Sequence, residues 1–166
     1  MQNNEKIRDW NPDDGDCLQG DIILFRLPTS IKAMLTQPIA PEGHLLILAR
    51  GEVTGHHHAI WFNPPMFRDD AMAHTSAAVI SGSYDEKWLP RKHGVAALYR
   101  DDNMVQELIA IGALTTDRLA IGLLVVEDAS IVLRHQEHDP ICIPPGNYYA
   151  GRQREQTTDA ERQVAD

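Results

Sequence analysis

Cysteine is scarce in this chain: Cys17 and Cys142 are the only two in 166 residues. Two thiols allow at most one bridge, and their spacing does not establish it, so they read as a pair of thiols in a reducing compartment. Long apolar runs are missing as well. The longest, residues 119–126, contains Gly122 and falls far short of the roughly 18 residues a membrane-spanning helix needs. The opening MQNNEKIRDW is polar with no apolar stretch behind it, so no secretory leader is expected. Basic charge is short: 15 Lys and Arg face 24 Asp and Glu, a formal net charge of −9. Affinity for phosphate backbones and for anionic lipid takes clustered cations, so neither nucleic acid nor membrane is expected as a partner. Aromatics are 6% of the chain, and Trp10, Trp61 and Trp88 lack the basic interleaving of a single-strand binder. There is no GxGxxG and no P-loop, and Ser81-Gly82-Ser83 is not a nucleophile elbow. The expected location is the cytoplasm, or a particle assembled there, such as a virion.

Short strand patterns separated by turn signals make up most of what is present. Residues 1–16 read as an N-terminal arm with the turn Asn11-Pro12-Asp13-Asp14-Gly15. Residues 17–156 read as one β-rich domain. Strands are expected at 22–27, 45–49, 56–62, 94–99, 119–126, 130–134 and 147–152. Residues 29–43 are ambiguous: Ile31, Met34 and Leu35 have helical spacing, but Pro38 and Pro41 end any helix quickly. Residues 102–113 predict a helix capped by Asp102, with Val105, Leu108, Ile109 and Gly112 on one face. Glu127-Asp128-Ala129 suits a hairpin connection, and Pro145-Gly146 a type II turn. Residues 64–118 read as an expanded or inserted region. In the tail, 157–166, Thr158 to Glu161 has capping-box spacing and predicts a short helix. The fold class expected is mainly β, a compact barrel or sandwich with one or two peripheral helices.

Histidine is plentiful, with eight in the chain. Five fall in two segments, Gly55-His56-His57-His58-Ala59 and Arg134-His135-Gln136-Glu137-His138. On a strand, His56 and His58 project from one face, where two imidazoles can reach one metal ion without backbone distortion. His135 and His138 converge if the strand ends before the Asp139-Pro140 turn. Together these four are the candidate metal ligands, for zinc or another divalent transition metal. Glu137 and Glu52 are the candidate bases if the metal activates water. His57 faces the other way, and His44, His74 and His93 have no partner in spacing. The bland alternative is that all eight are ordinary surface or hydrogen-bonding histidines. Cys142, framed by Ile141 and Ile143, reads as an inert thiol.

The segments Gln19-Gly20-Asp21-Ile22, Gly51-Glu52-Val53-Thr54-Gly55-His56-His57-His58, Arg134 through Ile141, Pro144-Pro145-Gly146-Asn147-Tyr148 and Arg152-Gln153-Arg154-Glu155 together resemble a group of small phage, prophage and bacterial proteins. That group is uncharacterised, and its patterns read GExTGHxH and HxxHxPIxLPPGxYxxxxQRE. The resemblance implies no activity, but its recurrent histidines fall at His56, His58, His135 and His138. The chain departs from the pattern in its N-terminal arm, in the expanded 64–118 region and at Gln156.

Three functions follow as expectations. The first is a phage-type accessory or binding protein with a structural metal site. The second is a virion structural protein, a capsid decoration or cement, contacting protein partners or its own copies through the arm and residues 64–118. The third is a metal-dependent hydrolase. The residues favour a binding or structural role over catalysis, because no motif supplies nucleophile, base and oxyanion donor together.

Overall fold

A computed structural model of the chain describes residues 6–51, 55–61, 94–156 and 161–163. The expectations for Glu52, His74, Ser81, Trp88 and His93, and for most of 64–118, therefore lie outside the described residues. Along the chain run β1 (Arg8–Asp9), β2 (Cys17–Gln19), β3 (Ile22–Arg26), β4 (Pro38–Ile39), β5 (Leu45–Arg50), β6 (His57–Trp61) and β7 (Val95–Tyr99). The helix α1 (Asp102–Ala110) follows. After it come β8 (Ala120–Glu127), β9 (Ile131–Arg134), β10 (Ile141–Ile143), β11 (Gly146–Arg152), β12 (Arg154–Gln156) and β13 (Glu161–Gln163).

The chain is mainly β, as its turn-punctuated short strands predict. One sheet has the order β1-β10-β9-β6-β5 and another β2-β3-β11-β8-β7-β4. Both are open, each with two edge strands, so the barrel alternative is not met: no closed barrel forms among the described residues. Alternation on β9 and β10 sends Ile131, Leu133, Ile141 and Ile143 inward. They share one core with Leu46 and Ile60 of their own sheet and with Leu24, Leu98, Leu124 and Tyr148 of the other. Burial of such side chains is worth about 1.5–3 kcal/mol each before entropy, which is what holds the two sheets face to face.

A second apolar cluster lies on the far side of the six-stranded sheet. There α1 lays Met104, Val105 and Leu108 on Leu123, Val125 and Tyr149. The helix cap is Asp101, not the expected Asp102. Asp101 Oδ1 accepts from Met104 N at 2.9 Å, and its Oδ2 accepts from Met34 N at 2.8 Å, so it also pins the preceding loop. The helix is shorter than expected at its other end. Gly112, expected on the apolar face, instead takes φ +78 and stops the helix. Its N–H bonds Ile109 O at 3.0 Å, and Ala113 N bonds Leu108 O at 2.9 Å, the paired bonds of a Schellman ending.

The expected hairpin at 127–129 is also corrected. β8 belongs to the six-stranded sheet and β9 to the five-stranded one, so this connection carries the chain from sheet to sheet. Asp128 has φ 67, and Ala129 N bonds Glu127 O at 2.8 Å, so the chain makes a three-residue γ-turn here. The N-terminal arm is tied down. β1 pairs in parallel with β10, and the Trp10 ring lies 5.2 Å from that of Tyr148. In the tail, where a helical turn was expected, residues 161–163 form β13 against β12. Pro145-Gly146 is not a type II turn either: Gly146 has φ 157 and opens β11.

Candidate functional site

The two histidine segments meet because β6 and β9 are antiparallel neighbours. Ala59 pairs with Arg134 and Ile60 with Leu133. Continued past the ladder, that register sets His58 against His135, His57 against Gln136 and His56 against Glu137. Each pair is seen in contact. The His58 and His135 rings stack with centroids 4.2 Å apart at 26°. His57 N donates to Gln136 Oε1 at 2.9 Å. His56 Nδ1 lies 3.5 Å from Glu137 Oε2. The period of two assigns His56, His58, His135 and Glu137 to the interior side and His57 with Gln136 to the outer side.

His138 joins through the bend that follows β9. Its ring lies 4.5 Å from that of His135 and 6.1 Å from that of His58, and His56 meets His135 edge-on at 5.7 Å. The structure thus brings all four predicted histidines to one end of the space between the sheets. His58 and His135 are buried, while His56 and His138 are intermediate.

The opposite sheet supplies the other half of the site. Gly20, at φ 54, turns the chain between β2 and β3, and this turn presents Gln19 and Asp21 to His58. Gln19 Nε2 donates to Leu133 O at 3.2 Å and to Asp139 O at 2.9 Å. Those two acceptors fix the amide, so Gln19 Oε1 accepts from His58 Nδ1–H across 2.9 Å. On the ring's other side, His58 Nε2 stands 3.0 Å from Asp21 Oδ1. The second Asp21 oxygen receives Arg152 Nη1 at 2.5 Å, and Arg152 Nη2 donates to Arg50 O at 2.6 Å. Both His58 nitrogens therefore face oxygens, the Gln19 amide at Nδ1 and the Asp21 carboxylate at Nε2. Gln153 closes the corner: its N–H bonds Asp21 O at 2.7 Å and its Nε2 bonds Gly20 O at 2.9 Å.

Sequence reasoning missed Gln19, Asp21, Arg152 and Gln153 as site residues. Their signal was present, since Gln19-Gly20-Asp21 and Arg152-Gln153 belong to the segments that carry the resemblance. No role could be read for them, because their partners lie far along the chain, 39 positions for Gln19 to His58 and 131 for Asp21 to Arg152. Glu137 sits where a base was expected, beside His56 and half-exposed. Glu52 lies outside the described residues.

For a metal, the spacing and the orientation differ. His135 occupies a near-right-angled corner of the three stacked centroids, so one point lies about 3 Å from all three, the reach of an ion bonded at about 2.0–2.1 Å to a ring nitrogen. Yet among the described residues no group of three or more His, Cys, Asp or Glu is arranged to hold a metal as the side chains stand. The rings lie over one another rather than aiming nitrogens at one centre. No helix among the described residues is long and apolar enough to cross a membrane.

Compared with protein-family models, with curated proteins and with solved structures, the chain finds no match in any of the three.

Proposed function

We propose that this chain is a phage-type accessory binding protein. In this reading it is a β-sandwich whose imidazole cluster holds zinc or another divalent transition metal as a structural centre. The ligands are drawn from His56, His58, His135 and His138. The observation that carries the reading is the convergence of these four rings within 4.2 to 6.1 Å of a neighbour at one end of the two sheets.

The surrounding residues fit that use. Gln19 holds the Nδ1 side of His58, the outer-shell contact that fixes a ligating imidazole. Asp21 adds a buried carboxylate on the Nε2 side, and Arg152 anchors that carboxylate. Ligation requires the rings of His135 and His138 to rotate and requires the ion to be met by an unprotonated ring nitrogen of His58. When bound, the metal would tie β6, the β9–β10 connection and the β2–β3 turn together. This is a stabilising role, and it asks for no open coordination position.

The test is thermal unfolding of the untagged chain with zinc and with a chelator. Zinc should raise the Tm, and chelation should lower it again. An unchanged Tm under both conditions contradicts the proposal.

A further inference from the structure

Beside the imidazole cluster is a cavity of about 190 Å³, lined by Arg8, Leu18, Gln19, Gly20, His138 and Asp139 among others. Its walls come from three separate parts of the chain. The N-terminal arm brings Arg8, because β1 runs parallel to β10 and Arg8 N donates to Pro140 O at 2.9 Å. The β2–β3 turn brings Gly20, and the bend after β9 brings His138.

Arg8 is held in place but not neutralised. Its Nη2 donates to Leu18 O at 2.7 Å. No carboxylate among the described residues forms an ion pair with it. A guanidinium has five N–H donors in a planar fork, and that fork matches the oxygens of a carboxylate or phosphate. The chain as a whole is acidic, 24 against 15, so Arg8 is not one member of a general basic surface. The cavity is several times the roughly 30 Å³ share of a water molecule, enough for a small anion and too small for a large one.

We propose that this cavity binds a small oxyanion, a carboxylate or a phosphate, between the Arg8 guanidinium and the His138 imidazole. The site borders the proposed metal centre but stands on Arg8, and it does not require the metal. Asp139 lines the same cavity. Its main-chain carbonyl is occupied by Gln19, and its exposed side chain is a like charge that weakens the anion.

The test is an NMR titration of the untagged full chain with inorganic phosphate and, separately, with acetate, in chelator and again after zinc loading. Saturable shifts at Gly20 and His138 are expected in chelator, and the tighter of the two anions identifies the headgroup. Arg8→Gln removes the guanidinium fork and should weaken binding about tenfold or more. Asp139→Asn should tighten it severalfold. Three results overturn the proposal: no saturable shift with either anion, equal affinity in Arg8→Gln, or binding seen only after zinc loading. The last would make the anion a metal ligand rather than a guest of Arg8. Binding in chelator with no zinc uptake leaves this site standing while the metal reading falls.

Discussion

His58 Nε2 lies 3.0 Å from Asp21 Oδ1, with the two side chains 0% and 1% exposed. Polar groups so fully removed from water are costly to bury, and they depend on each other once buried. Arg152 completes the group from the end of β11, so three elements of the fold share one charge arrangement.

Replacing Asp21 should therefore be severe. Asp21→Asn leaves the buried His58 ring and the Arg152 guanidinium without their carboxylate. The expected loss is about 3–5 kcal/mol of unfolding free energy, read by urea denaturation. A loss under about 1 kcal/mol would mean the arrangement is not a coupled ion network.

The neighbouring pair, His56 and Glu137, should behave oppositely. Their separation is 3.5 Å, and their side chains are 27% and 53% exposed. Solvent screens such a contact, so Glu137→Gln should cost less than about 1 kcal/mol in the same assay. A cost near that of Asp21→Asn would show that exposure misjudges this pair.

Alkaline stability should fall early. Burial pushes the Cys17 thiol from 9.0 up to about 11, with the nearby Arg8 guanidinium pulling it partly back. Burial raises Tyr148 in the same direction. Below about pH 9 the thiol is protonated in both states and its contribution is intact. Between about pH 9 and 11 the unfolded thiol ionises first, so stability is lost as pH rises, by up to about 2 kcal/mol. Cys17→Ala should flatten that limb in unfolding curves taken from pH 7 to 11. Equal slopes in both proteins would contradict the assignment.

Gly94 should tolerate no side chain. A Cβ there would lie 1.7 Å from Ala129 O and 2.6 Å from Glu127 O, both main-chain atoms of the tight sheet-to-sheet turn. Gly94→Ala should cost at least about 2–3 kcal/mol, seen as a lowered Tm. A neutral substitution would mean the turn can open.

What was legible in the sequence followed from local period. Alternation from His56 to Phe62 assigned His57 to the outer face, and its ring meets the exposed Gln136 side chain at 3.2 Å. Proline and glycine punctuation marked most strands. The sheet membership of β8 and β9 was not legible, because Asp128 adopts a positive φ that its residue type permits but does not announce. The other half of the site was equally hidden. The Gln19–His58 hydrogen bond is set by how the two sheets stack, and the Asp21–Arg152 one by the pairing of β3 with β11, neither of which a local pattern carries.

The central claim is the metal, and counting it tests that claim most directly. Untagged protein would be analysed by mass spectrometry for bound transition metals, alongside His56→Ala with His138→Ala and alongside His57→Ala. The account predicts one ion per chain in the unaltered protein and in His57→Ala, and its loss in the double variant. Substoichiometric metal that is unchanged by the double substitution would contradict it.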